Sequence, residues 1–323
     1  MSWTTGTINS ATPATALYTA IAAALTSWTF VETVPAATAG TTADVKVLRA
    51  PDNDWYLFIE VDDTNNRLRF RTAREYNTDT KQIRKHCPNT ATGTNYIPAA
   101  DYSATGSTWV NIGSTTSGAG GLSGVFYVPV FVVTNVGFNY YIGVGPGNGS
   151  PQDLILVATD VASAGSYGWA LVGFFAPVNA NDFPLFIAGS SGTGLTSEGT
   201  GTCRLAYEYG ITTTQEGAFT GQFNIHGGTT TLSIYLGQPY GSARNPYTTN
   251  GIYVLDAVLH GNSSTGSTAR FYRGHLPNFK LFYLASQVAP GDTITVGSTT
   301  YFVIGVSSTT RNVGICVNTA LAF

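Results

Sequence analysis

Hydrophobic and polar positions alternate most clearly over residues 54–74, DWYLFIEVDDTNNRLRFRTAR. Trp55, Leu57, Ile59 and Val61 interleave with Tyr56, Phe58, Glu60 and Asp62. Successive residues of a strand point to opposite faces, so the first set forms one apolar face. Asp63-Thr64-Asn65-Asn66 is turn chemistry, because Asn and Asp tolerate positive φ and bond their own backbone. The return run keeps the phase, with Leu68 and Phe70 on one side and Arg67, Arg69 and Arg71 on the other. A two-residue Asn65-Asn66 loop sets Glu60 opposite Arg71 and Asp62 opposite Arg69. A four-residue loop sets Glu60 opposite Arg69 and Asp62 opposite Arg67. Both keep acid against base and apolar against apolar, so the register stays open. The pattern predicts a β-hairpin with one buried face and one salt-bridged outer face.

A second periodicity precedes it. Leu17, Tyr18, Ile21, Leu25 and Trp28 recur at helical spacing behind Thr12-Pro13, which reads as an N-cap with proline at the first helical position. One amphipathic helix over residues 13–28 follows. Its apolar stripe suits a helix covering the open face of a sheet, with docking to a partner subunit as the alternative use. Trp3 and the positions Leu17, Tyr18, Ile21, Leu25 and Trp28 are the candidate assembly contacts.

The remaining apolar runs are short and rich in β-branched and aromatic residues, separated by Gly, Ser, Thr and Asn. They predict strands at 29–34, 44–49, 125–136, 138–144, 154–158 and 168–176. Further strands are predicted at 203–209, 219–226, 231–236, 251–260, 269–283, 292–307 and 312–318. Pro129 marks an edge or a bulge, since proline cannot donate to a ladder. Gly297-Ser298 reads as a two-residue hairpin turn. The expected fold is mainly β, with two β-sandwich-like regions and one N-terminal amphipathic helix. The expected boundaries are a lead and helix over 1–40, a first β domain over 41–188, a linker over 189–202 and a second β domain over 203–323.

Composition sharpens this. Only 10% of the 323 residues are charged, far below the ~25% usual for a soluble domain. Yet 43% are hydrophobic, with 18 Tyr and 17 Phe, so the low charge does not signal disorder. Surfaces covered by other copies of the chain are the reading that fits. Residues 44–85 hold 17 of the 33 charges, and no Lys or Arg occurs from His86 to Cys203. Nucleic-acid binding needs a basic surface, and the one basic row, Arg67/Arg69/Arg71/Arg74, lies beside Glu60, Asp62 and Asp63; no nucleic-acid partner is expected. Cys87, Cys203 and Cys316 are an odd, widely spaced set and read as free thiols of a protein folded in a reducing cytosol. The N-terminus lacks the basic region of a secretion signal. No apolar run reaches the ~20 residues of a membrane helix, so no membrane insertion is expected.

Chemistry-bearing motifs are sparse. There is no P-loop, Rossmann glycine fingerprint, HExxH or GxSxG. Gly143-Val144-Gly145-Pro146-Gly147 reads as a turn. His86-Cys87 is the sole adjacent pair of metal-ligand types, without the tight spacing of a structural zinc site. Asp62-Asp63 reads as a pair of solvated turn acids, not as the facing acids of a glycosidase. No catalytic residue, metal or cofactor is assigned. Tyr96, Tyr102, Trp109, Tyr240 and Tyr247 lie in Gly/Ser/Thr/Asn-rich stretches. Such rings pin loops and fill subunit contacts, or form an aromatic platform for a glycan.

Three segments together resemble a known group. MSWTTGTINSATPATALYTAIAAAL resembles the opening of tailed-bacteriophage virion proteins, GWALVGFFAPVNANDFPLFIAGSSG is similar to a mid-chain segment of them, and RGHLPNFKLF with GDTITVGSTTYFVI looks like their C-terminal end. The resemblance implies a non-enzymatic structural component of a tailed-phage virion, in the tail, baseplate or fibre apparatus. It implies synthesis in the bacterial cytoplasm and assembly with itself, for instance as a trimer, and with other virion proteins. A receptor- or glycan-binding module facing a host surface glycan, a capsid decoration protein and a polysaccharide depolymerase are the other readings. The resemblance carries over no catalytic residues.

Overall fold

A computed structural model of the protein describes residues 2–52, 55–87, 109–113, 128–131, 137–145, 154–161, 166–177, 185–192, 201–205, 222–225, 248–249, 252–262, 270–283, 292–306 and 313–318. The chain opens with β1 (Ser2–Ile8), α1 (Pro13–Ala24), β2 (Thr29–Val34), a single turn α2 (Ala36–Ala39) and β3 (Val45–Arg49). Next come β4 (Tyr56–Asp62), β5 (Arg67–Asn77), β6 (Gln82–Cys87), β7 (Val110–Asn111), β8 (Val128–Phe131), β9 (Phe138–Gly145) and β10 (Leu154–Val161). Then follow β11 (Ser166–Phe174), β12 (Ala176–Pro177), β13 (Leu185–Gly192), β14 (Gly201–Leu205), β15 (Gln222–Ile225) and β16 (Thr248–Thr249). The described part closes with β17 (Ile252–Asn262), β18 (Arg270–Tyr283), β19 (Thr293–Val296), β20 (Thr299–Val306) and β21 (Val313–Asn318). The expected strand at 231–236 lies outside the described residues.

The fold is mainly β, in two curled antiparallel sheets. The first runs β1-β9-β10-β11-β13-β14-β15-β17-β18-β21-β20-β19, with β12 on β18 and β16 on β17. The second runs β2 to β7 in chain order, with β8 on β5. This partition differs from the expected boundaries. β1, from the N-terminal lead, pairs along its length with β9, and β14 to β21 continue the same sheet. Residues 189–192, expected in a linker, extend β13 and pair with β11, and Gly189 and Ser190 pair with β14 as well. Gly and Ser there read as linker chemistry, but in a strand they allow close backbone approach.

The hairpin β4–β5 adopts the four-residue loop: Val61 faces Leu68, Glu60 faces Arg69 and Asp62 faces Arg67. Asn66 takes φ 50° in that turn. Trp55, Leu57, Ile59, Leu68 and Phe70 form the predicted apolar face and are fully buried. They pack with α1 and with Phe138, Ile142, Val144, Ile155, Val157 and Val172 of the first sheet into one core. α1 therefore lies between the two sheets, in contact with β1, β4, β5 and β9, a sandwich-like arrangement with a helix inside it.

The second face of the hairpin is not an outer face. Phe58 joins Val34, Ala39, Val45, Val47, Ala73, Tyr76, Ile83 and Ile112 in a second core. The sheet curls around this core, and the curl brings Tyr76 Oη within 2.8 Å of Glu32 Oε1 and Lys81 Nζ within 2.5 Å of Glu32 Oε2, so β2 is tied to the β5–β6 hairpin. Gly113 N donates to Ala39 O at 2.6 Å and closes one end. A Cβ on Gly113 would collide with the Gly40 carbonyl, so only glycine permits that approach. Alternation alone cannot say whether a polar-looking face is covered; here α2 and the loop after it supply the cover.

Candidate functional site

Beneath that loop sits a group of buried and paired charges. Glu60 and Asp62 project from one face of β4, and both are buried. Thr42 N (3.0 Å), Ala43 N (2.9 Å) and the Thr42 hydroxyl (2.7 Å) donate to Glu60 Oε1, while Arg69 pairs with Glu60 Oε2. Asn65 donates to Asp62 from its backbone (3.0 Å) and its amide (2.7 Å), and Arg67 Nε lies 3.2 Å from Asp62 Oδ2. Burial pushes the Asp62 carboxyl up, but the two Asn65 bonds, the Thr42 hydroxyl and the Arg67 charge outweigh it, so its pKa falls below the ordinary value. Arg71, fully buried, donates to the Ile112 carbonyl at 2.5 Å.

Glu60 Oε1 thus accepts three hydrogen bonds, Glu60 Oε2 meets Arg69 as an ion pair, and both oxygens of Asp62 accept from donors. Carboxylates held this way lock the loop over 40–44 onto the sheet. The sequence predicts Asp62 as a solvated turn acid, and the structure buries it instead. Asp63 is half-buried and bonded rather than free at the turn: its Oδ1 accepts from Ala14 N (2.8 Å) and Thr15 N (3.1 Å), and its Oδ2 from the Thr15 hydroxyl (2.5 Å). Thr12 occupies the N-cap position but makes no side-chain cap bond. The hairpin turn therefore caps α1 from a distance, and the carboxylate charge matches the positive end of the helix dipole. The basic row expected beside it is turned to these structural partners through Arg67, Arg69 and Arg71.

The candidate assembly contacts also face inward. Leu17, Ile21, Leu25 and Trp28 are buried within the chain, so they are not free to meet a neighbouring subunit. The reason is that this chain's own two sheets enclose the helix. Trp28 meets Trp55 edge-on at 4.8 Å. Tyr18 is half-buried, with Lys46 Nζ 5.9 Å from its ring, and burial raises its pKa. Trp3 is half-buried, lies over Gly143 directly opposite, and approaches Phe302 of β20 at 5.4 Å. Gly143 belongs to β9, not to the predicted turn, and its missing side chain seats the indole. The reciprocal pair is Tyr140 over Gly6.

Of the candidate loop aromatics, Tyr96, Tyr102, Tyr240 and Tyr247 lie outside the described residues. The side chains of the three cysteines and four histidines lie outside them too. Trp109 is described. It is half-exposed beside β7, and the Arg84 guanidinium lies 4.8 Å from its ring centroid. Arg84 in turn pairs with Glu75, its Nε 2.6 Å from Oε2. Thr42, Glu75 and Arg84 were not singled out by sequence reasoning. The alternation of Gln82-Ile83-Arg84 after the turn residues Asn77–Lys81 would have exposed the last two as cross-strand partners.

No protein-family model matches the chain, and no curated protein sequence matches it. Among the described residues, no three His, Cys, Asp or Glu side chains are grouped to hold a metal ion, and no helix is long and apolar enough to cross a membrane.

Proposed function

We propose that the chain is a non-enzymatic structural component of a tailed-phage virion, built into the tail, baseplate or fibre apparatus as a homo-oligomer. The observation that carries this reading is spatial. The segments that resemble phage virion proteins are far apart in sequence, yet they meet in one sheet. The opening segment supplies β1, whose Trp3 packs on Phe302 of the C-terminal segment. The mid-chain segment supplies β11, β12 and β13, and Ala176 of β12 pairs with His275 of β18. Tyr141 of β9 joins the same contact at 5.6 Å from Phe302.

Assembly through uncharged surface is supported by β2. It borders the second sheet, pairing with β3, and it bears Phe30, 53% exposed. Natural edge strands are usually guarded by charge, but Glu32 of β2 is turned to Tyr76 and Lys81. Cryo-electron microscopy of the particle formed in an infected host tests the proposal. Density for this fold at a defined, symmetric position in the tail supports it; a virion proteome lacking the chain refutes it.

A further inference from the structure

We infer that the outer face of β5–β6–β7 is a binding platform for an uncharged pyranose sugar, with Trp109 as its stacking surface. The register places the residues. Arg84 faces Glu75 across β5–β6, and Gln82 faces Asn111 across β6–β7. Continuing that register by one pair of positions sets Trp109 opposite Arg84, in agreement with their 4.8 Å approach. Ile83 and Tyr76, between these positions, point into the second core, so Glu75, Gln82, Arg84, Trp109 and Asn111 share the opposite, outward face.

The chemistry of this face is specific. One side of the indole is held by the guanidinium, which is itself held by Glu75, so the ring is fixed before any ligand arrives; fixing a ring in advance lowers the cost of binding. Asn111 is exposed and Gln82 half-exposed, and neither makes a side-chain hydrogen bond among the described residues. Amides carry donors and acceptors together, as needed to meet sugar hydroxyls. The charges of Glu75 and Arg84 cancel, which favours a neutral ligand over an anionic one. An aromatic plate with flanking amides and balanced charge fits the apolar C–H face and hydroxyl rim of a pyranose. The inference stands on these strands alone and is independent of where the chain resides.

The test is saturation-transfer difference NMR on the full chain with methyl glycosides of glucose, galactose, mannose and N-acetylglucosamine. Transfer to the ring C–H protons of at least one glycoside is expected, with affinity falling roughly tenfold in Trp109→Ala and about fivefold in Asn111→Ala, the effect of one lost hydrogen bond. Asn111 is exposed, so its variant keeps the test valid if Trp109→Ala misfolds. No transfer to any of the four glycosides overturns the inference, as does transfer unchanged in both variants. Loss of self-association, without any glycoside signal, in Trp109→Ala would instead make the face a contact between copies of the chain and would equally overturn it.

Discussion

Replacing Asp63 by Ala removes a cap that sequence position gives to another residue. Its carboxylate accepts from two free amides of the first helical turn, Ala14 N and Thr15 N, and from the Thr15 hydroxyl. Loss of a helix cap costs about 0.5–2 kcal/mol, and loss of a negative charge at a helix N-terminus a further ~0.3–1 kcal/mol. The site is partly open to water, so the middle of the combined range, about 2 kcal/mol, is expected. With a urea slope of about 3 kcal/mol/M, the unfolding midpoint falls by roughly 0.6 M. Asp63→Asn keeps the Oδ1 acceptor and loses the charge, and about half the destabilisation is expected. Thr12→Ala is the control. Its hydroxyl lies 3.4 Å from Ser10 Oγ and not on the helix, so a change within about 0.5 kcal/mol is expected. Amide exchange read by NMR gives the local signal, with Ala14 and Thr15 exchanging faster in Asp63→Ala. If Thr12→Ala destabilises as much as Asp63→Ala, or the two amides keep their protection, the distant cap is wrong.

Gly113→Ala forces a Cβ against the backbone of Ala39 and Gly40; a loss of about 1–3 kcal/mol is expected from overpacking, measured by urea unfolding. Trp3→Ala uncovers Gly143 and empties the contact with Phe302; a loss of about 2 kcal/mol is expected for this half-buried ring, less than the ~3–5 kcal/mol of a fully buried one, with faster limited proteolysis before α1. Asp62 has a folded pKa below its unfolded value of 3.8. Its stabilisation is therefore complete above about pH 4 and is lost as pH falls through the lower, folded value. Asp62→Asn should be less stable at neutral pH and show a flatter acid limb in unfolding midpoints measured across that range.

What could be read from the sequence is local. The hairpin, the helix and most strands follow from periods of two and 3.6, and Gly297, at φ 61°, does sit in a turn. What could not be read depends on contacts between distant segments. Two registers satisfied the Glu60 and Asp62 pairing rule equally. The four-residue loop lets Asp62 hold Asn65 while Asp63 reaches α1, and no local pattern encodes a partner 49 positions away. Trp3, Leu17 and Trp28 looked available because a stripe shows only that a face is apolar, not what covers it. The strands across the expected linker were hidden for the same reason: Gly and Ser lower intrinsic β preference, and pairing on both sides of β13 overrides it. Of the Trp109 face, the aromatic was visible, but Gln82, Arg84 and Asn111 become its neighbours only through strand register.

The way the hairpin sheet is covered also fixes where much of the chain's charge goes. Glu60 with Arg69, Asp62 with Arg67, Glu75 with Arg84 and Lys81 with Glu32 are paired. Asp63 holds the start of α1, and Asp44 accepts from Ala36 N at 3.1 Å. Charges buried or matched in this way contribute little long-range field, and what remains is screened within about 10 Å at 0.1 M salt. Long-range steering toward an oppositely charged partner is therefore weak around this sheet, and recognition there depends on short-range fit. Exposed Phe30 on an edge strand and Trp109 among amides are two different forms of such fit. The first suits another strand laid alongside it and the second suits a small polar molecule with one apolar face, so the proposed assembly contact and the proposed sugar platform do not compete for the same surface.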